Sequence, residues 1–211
     1  MALSEHRWHA TSTSPFPWEQ EALDYLRAQL PDDESWNVWL LKQFIASTGA
    51  LYELDALVLS PKGLWLIEIK SHPGTLSGDQ QTWTFTHEGR ARVIDNPIFL
   101  TNTKAKSLRT LLESQKGARG KIPFIEALVF CDGINLGCEL DDNARAWVCF
   151  RDEKGAVQKG KITGIVSALK TGRVLGTNLA GNRDIPQNNI PVILRAIDSI
   201  QMDQLWRESG G

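Results

Sequence analysis

Residues 52 to 70 read YELDALVLSPKGLWLIEIK, two apolar runs joined by a turn, with Asp55, Glu68 and Lys70 set inside them. The linker SPKG puts Pro61 at the second position of a tight turn and Gly63 at the fourth, the chemistry of a type I turn. The segment is therefore a β-hairpin. Both runs are apolar at odd and at even positions, so their sheet has to be covered on both faces. That requirement points to a layered α/β domain.

The three charges need an explanation, because an unpaired charge in a core strand is costly. Side chains alternate along a strand, so Glu68 and Lys70 share a face. The position of Asp55 depends on the loop. If Pro61 and Lys62 alone form it, Asp55 falls opposite Glu68; a three-residue loop with a bulge at Gly63 shifts the register by one.

In the first register two carboxylates converge beside one ammonium. They repel unless a cation lies between them. An all-oxygen site with room for water suits Mg²⁺ (or Mn²⁺), and the Ile69 carbonyl offers a further oxygen. Lys70 would hold the attacking water and stabilise charge on a phosphate, the chemistry of metal-assisted phosphodiester hydrolysis. The plainer alternative is a structural salt bridge, since E-x-K is a short and common pattern. The context favours the metal site: an Asp on one strand, a turn, then E-x-K running out into a loop.

The rest of the chain fits one domain. A helix is expected after SPFP, with Trp18, Ala22, Tyr25, Leu26 and Gln29 at helical spacing and Pro31 as its stop. WNVWLLKQF reads as a strand and HPGTLSGDQQ as a polar loop. TWTFTH and ARVID form a second, more exposed hairpin. Asn96-Pro97 opens a helix with Asn as N-cap. Ala105, Leu108, Leu111 and Leu112 are expected inward on that helix, and Lys104, Lys106 and Arg109 outward. IPFIEALVFCD and RAWVCF are strands. KGKITGIVSALKTG reads as a short helix, and PQNNIPVILRAIDSIQMDQLWRE as a terminal helix with Val192, Leu194, Ile197, Ile200 and Leu205 as its stripe.

Hydrophobic residues make up 42% of the 211 and charged residues 23%, the balance of an ordinary globular protein. The net charge of −2 argues against a broadly basic nucleic-acid coat. A local basic rim remains open to Lys104, Lys106, Arg109, Arg90 and Arg92, with a solvated face as the alternative. Three cysteines with no CxxC pair, and an N-terminus with no apolar core of signal length, read as a reduced, cytoplasmic protein. No apolar run approaches the ~18 residues that span a membrane. His6 and His9 read as part of a solvated leader, Trp8 as a possible partner contact, His72 as a loop histidine, Cys131 as a buried thiol, and Trp36, Trp39 and Trp65 as core.

ELDALVLSPKGLWLIEIKSHPGTLSGDQQTW, followed by NPIFL and a helix, resembles the NERD (nuclease-related) domain of the PD-(D/E)xK nuclease superfamily. The resemblance covers about residues 15 to 132. It implies an α/β fold with a restriction-endonuclease-like core, a mixed central sheet flanked by helices in the order αβββαβ. It implies a leader over 1–14, the nuclease-like core over 15–132, and over 133–211 an extension or a connector to a following kinase domain. Asp55, Glu68 and Lys70 match the nuclease motif, and Glu19 or Glu21 the first-helix glutamate, with Glu19 better spaced. Trp18 stands where the family usually carries Gly, and Leu100 near where a Gln often follows Asn-Pro. Trp83 matches the family's Trp as a packing residue, and Gln80 or Gln81 would reach the site only from a loop.

The same resemblance extends to NERD domains fused in front of serine/threonine kinases in bacterial phage defence. The expectation is a Mg²⁺- or Mn²⁺-dependent DNA endonuclease with catalytic Glu19, Asp55, Glu68 and Lys70, the metal on Asp55, Glu68 and Ile69. The alternative is a catalytically weak nuclease fold that binds DNA or a partner and regulates an attached kinase. DNA, and other defence proteins or such a kinase, are the expected partners.

Overall fold

The structure, a computed structural model, describes residues 2–10, 12–131, 137–141, 144–153, 163–174, 184–200 and 203–204. The first half runs β1 (Trp8–His9), α1 (Pro17–Gln29), β2 (Asn37–Ile45), β3 (Leu51–Ser60), β4 (Gly63–Ile69), β5 (Thr75–Gly78), β6 (Thr82–His87), β7 (Arg90–Asp95) and α2 (Pro97–Glu113). It continues with β8 (Ile125–Phe130), β9 (Gly137–Leu140), β10 (Val148–Phe150), β11 (Thr163–Gly164), α3 (Ile165–Thr171), a 3₁₀ turn (Gln187–Asn189), α4 (Ile190–Ser199) and β12 (Asp203–Gln204).

The main sheet is mixed, in the order β1-β2-β3-β4-β8-β10-β11, with β12 also pairing with β2. A second sheet runs β7-β6-β5-β9. The succession α1, β2, β3, β4, α2, β8 is the expected αβββαβ core. The β3–β4 hairpin pairs Ser60 with Gly63, so Pro61 and Lys62 alone form its loop. Ser60 Oγ fastens this turn, accepting from Trp65 Nε1 at 3.0 Å and donating to the Leu169 carbonyl at 3.1 Å.

Two apolar clusters cover the main sheet's two faces, as the doubly apolar hairpin demands. On one face α1 lays Ala22, Leu23 and Leu26 against Ala56, Val58, Trp65 and Ile67. On the other α2 lays Ala105, Leu108 and Leu112, and α4 lays Ile193, Ala196 and Ile197, against Leu57, Leu59, Leu64 and Leu66. Each such leucine or isoleucine contributes about 1.5–3 kcal/mol by leaving water. Trp36, Trp39 and Trp65 are core residues, and Trp83 is fully buried.

Helix α1 starts at Pro17 and gives way at Leu30, ahead of Pro31. Asn96 caps α2: its Oδ1 accepts from Ile98 N–H at 3.0 Å, and its Nδ2 donates to the Gln80 carbonyl at 3.1 Å. The Asn-Pro pair thus ties the helix start to the loop before β6. Gln80 and Gln81 are exposed.

Several expectations need correction. The leader is no solvated tail: Trp8 and His9 pair in parallel with Val38 and Trp39, Leu3 is buried, and the His9 ring stacks on Trp39 at 5.0 Å. Trp8 is buried as well, so it offers no partner contact. The polar loop after Lys70 contains β5, which pairs with β6 and β9. Gly74, with φ +114°, makes that pairing possible, because a Cβ there would lie 2.1 Å from the Thr86 carbonyl oxygen. The terminal helix stops at Ser199, and Asp203 and Gln204 pair instead with Gln43 and Lys42. Leu205, and residues 159–162 of the expected short helix, lie outside the described residues.

Candidate functional site

The β2–β3–β4 ladder is irregular at the position of Asp55. Its pairing with β2 skips from Leu40–Ala56 to Lys42–Leu54, and Leu41 there takes φ +49°. Its pairing with β4 ends at Ala56–Ile67. Leu40 and Leu41 both face the α1 side, and Leu54 joins Leu57 and Leu59 on the α2 side, so the alternation slips by one at this point. A left-handed leucine is strained, and such kinks re-aim side chains. The β3–β4 register expected for a two-residue loop is present, yet Asp55 and Glu68 are not a ladder pair. Asp55 Oδ2 accepts from the Ile69 N–H at 2.8 Å, taking the place of a strand-to-strand bond.

Glu19, Asp55, Ile69 and Lys70 line one cleft of about 380 Å³, together with Phe16, Trp18, His72, Phe85, Arg92 and Ile94. Glu19 enters from the first turn of α1, buried, and accepts from Ser14 Oγ at 2.7 Å. Glu21 is instead on the surface, paired with Arg151 at 3.0 Å. Of the two glutamates, Glu19 is the one that lines the cleft.

Glu68 does not border the cleft. Its carboxylate lies between two ammonium groups, Lys70 Nζ at 2.7 Å on Oε1 and Lys104 Nζ at 2.8 Å on Oε2. Burial pushes the Glu68 carboxyl up, but Lys70 and Lys104 outweigh it and hold it below its ordinary value. Burial pulls Lys70 down, but Glu68 and Asp55 outweigh that and hold it above its ordinary value. Lys70 is therefore a charged donor at neutral pH and no general base. Its Nζ also lies 3.4 Å from the Ile69 carbonyl oxygen. Both strand acids act on the Lys70 ammonium, Glu68 through a direct ion pair and Asp55 through its charge.

Lys104 corrects the expected outward face of α2: its side chain is 9% exposed and points in to Glu68. Its place was legible, since Lys104, Leu108 and Leu112 stand four apart on one stripe. Arg109 is held by Glu113 at 2.8 Å and lies over the Phe124 ring at 4.6 Å. Lys106 and Arg90 are exposed, and Arg92 alone of the expected basic rim lines the cleft. His72 is no idle loop residue. Its ring lies between Trp18 at 5.2 Å and Phe85 at 5.4 Å, and burial, with Arg92 and Lys70, keeps it below the ordinary histidine range. Cys131 is buried.

Among the described residues no three Asp, Glu, His or Cys side chains form a ready metal cage. The donors present do fit a hard divalent cation that keeps most of its waters: the Asp55 carboxylate, the Ile69 carbonyl and a neighbouring acid. Among the residues that line the cleft, Glu19 and Asp55 are matched by Lys70 and Arg92, so a cation there would be held by its oxygen ligands and not by a net negative charge.

A mixed sheet between helices, with a cleft of acids and cations at the end of its central hairpin, defines a nuclease-like α/β module. The chain belongs to the NERD (nuclease-related domain) family, whose family model matches residues 14–131. A relative from Streptomyces coelicolor, described as "Probable kinase PglW", is 38% identical over 131 residues. That alignment covers 62% of this chain and 8% of the relative, so the chain corresponds to a small part of that protein's length. No solved structure matches the chain. Among the described residues no helix is long and apolar enough to cross a membrane.

Proposed function

We propose that the cleft hydrolyses phosphodiester bonds of DNA with Mg²⁺ or Mn²⁺, as an endonuclease. The observation that carries this reading is the convergence of Glu19, Asp55, Ile69 and Lys70 on one cleft. Asp55 and the Ile69 carbonyl would hold the cation, with Glu19 as the neighbouring acid in the cleft. Glu68, expected as a ligand but held outside the cleft by two lysines, would position Lys70. When bound, such a cation would supply Lewis-acid charge at the scissile phosphate and a more acidic water.

The protein's own groups do the rest. Lys70, kept protonated by its acidic neighbours, donates to the attacking water and to the phosphate oxygen where charge builds. Lys104 holds Glu68 from the α2 side, and Ile69 N–H fixes the Asp55 carboxylate. Arg92 at the cleft offers a phosphate contact. The resemblance to domains fused to kinases of bacterial defence systems supports phage defence as the setting. The test is cleavage of plasmid and oligonucleotide DNA with Mg²⁺ or Mn²⁺. Cleavage disappears in Asp55→Ala and Lys70→Ala; undiminished cleavage in both variants refutes the proposal.

A second reading rests on a different observation: both oxygens of Glu68 are engaged by lysines. A nuclease fold closed by such a network would bind DNA or a partner without cutting and regulate an attached kinase. The kinase description of the Streptomyces relative supports it. Salt-dependent DNA binding with no turnover in either metal would favour this reading.

A further inference from the structure

The wall of the cleft facing the charged groups has a chemistry that phosphate hydrolysis does not use. Phe16 stacks on Trp18 with centroids 5.4 Å apart and planes 22° apart. Trp18 meets His72 at 5.2 Å, and His72 meets the edge of Phe85 at 5.4 Å. All four rings line the same cleft as Lys70 and Arg92. Phe16 is 39% exposed and Trp18 and His72 are half-buried, while Phe85 anchors the row in the core. An aromatic row built only for stability would close on itself; this one borders solvent beside two cations.

We propose that this row is a stacking platform for an unpaired nucleobase, and that the cleft takes single-stranded or locally unpaired nucleic acid in preference to intact duplex. The inference rests on the reading of Lys70 and its neighbours as a phosphodiester site, and names that site's substrate class.

Aromatic side chains beside positive charge are how proteins hold single strands: each base offers a π-face, and the cations track the backbone. In a duplex those faces are already covered by neighbouring base pairs, so a duplex reaches such a wall only by extruding a nucleotide. The volume, about 380 Å³, falls in the range of small-molecule sites, roughly 300–1,000 Å³, and suits a nucleotide unit rather than a double helix. Charge fixes the orientation: the backbone phosphate turns to Lys70 and Arg92, and the base turns to Trp18 and His72. Trp18 is the most telling member, because it directly precedes Glu19 on α1 and so places a ring next to the acid that enters the cleft.

The experiment is a fluorescence-anisotropy titration of the 211-residue chain in chelator, so that no cutting intervenes. The probes are labelled single-stranded DNA, single-stranded RNA, blunt duplex DNA and the same duplex with a central mismatch bubble. The unmodified protein should bind the single strands and the bubble more tightly than the blunt duplex. Trp18→Ala should weaken single-strand and bubble binding by ~5- to 150-fold, the effect of losing one base stack, and leave duplex binding unchanged. Trp18→Phe, which keeps a ring, should retain most of the affinity and guards against misfolding of the alanine variant. Equal affinity for duplex and single strand, or Trp18→Ala and Trp18→Phe binding like the unmodified protein, overturns the proposal.

The outcomes separate this inference from the nuclease reading. Cleavage that depends on Lys70 but ignores Trp18 and strandedness leaves the nuclease and removes the platform. Single-strand binding that depends on Trp18, with no cleavage in any metal, leaves the platform and removes the nuclease.

Discussion

The Lys104 ammonium, from the middle of α2, lies 2.8 Å from Glu68 Oε2 and closes the side of the carboxylate that Lys70 does not. This contact joins a helix to the end of the central hairpin across 36 residues of sequence. Glu68 is thus held from α2 as well as from the end of its own strand.

Removing Lys104 should therefore cost more than an ordinary surface ion pair. Lys104→Met leaves a buried carboxylate with one partner, and breaking a buried pair in this way costs on the order of 3 kcal/mol. Urea unfolding of Lys104→Met, Glu68→Gln and the double variant measures it. The double variant should lose less than the two single losses combined, because the second change removes the charge that the first left stranded.

Acid should destabilise the protein through the same carboxylate. The native Glu68 carboxyl lies below its ordinary value of 4.5 because Lys70 and Lys104 outweigh the effect of its burial. Its contribution is then fully present above that ordinary value and is lost as the pH falls from there through the lower native value. Unfolding curves between pH 7 and pH 3 should converge for the unmodified protein and Glu68→Gln as the pH drops. Curves that stay a constant distance apart would contradict the assignment.

Asn96→Ala removes an N-cap and a loop tether together. The cap alone is worth about 1 kcal/mol, and the lost bond to the Gln80 carbonyl adds a comparable amount. Asn96→Ser keeps a capping oxygen but cannot span to Gln80, and should fall between the two in denaturant unfolding.

Gly74→Ala should destabilise by about 1–3 kcal/mol, since its φ of +114° disfavours a side chain and the new Cβ would press on the Thr86 carbonyl. The strain falls on the pairing of β5 with β6, which carries Phe85. Hydrogen exchange at Thr84 to Thr86 should rise before exchange in β3 and β4 does.

The hairpin and the helix cap at Asn96 were legible because each is written in adjacent residues: Pro61 and Gly63 for the turn, Asn96-Pro97 for the cap. The choice between a two- and a three-residue loop was not, and is decided by the pairing of Ser60 with Gly63. The cover on both sheet faces followed from apolar residues at both odd and even positions of β3 and β4. The place of Asp55 was not legible. Strict alternation puts it on the Glu68 face, and only the kink at Leu41, an apolar residue with no local reason to take a left-handed backbone, resets it toward Glu19. Lys104 was misread because a lysine on a helix is usually solvated, although its spacing to Leu108 and Leu112 placed it on the inner stripe. β5 was missed because TLSG is polar and short, and its partners come from β6 and from β9, far along the chain. His72 was read as idle because nothing nearby in sequence announces Trp18, which reaches it from another element.

Two short strands from opposite ends of the described chain lie on β2: Trp8 and His9 beside Val38 and Trp39, Asp203 and Gln204 beside Gln43 and Lys42. Between them they blunt the flank of the sheet that β3 leaves open. The family match begins at residue 14, so a fragment trimmed to that boundary would discard the first of these guards. It would bare the amides and carbonyls around Val38 and offer them to any other polypeptide in solution, which is how trimmed domains come to stick to one another. Expression of this module is best served by keeping its first ten residues.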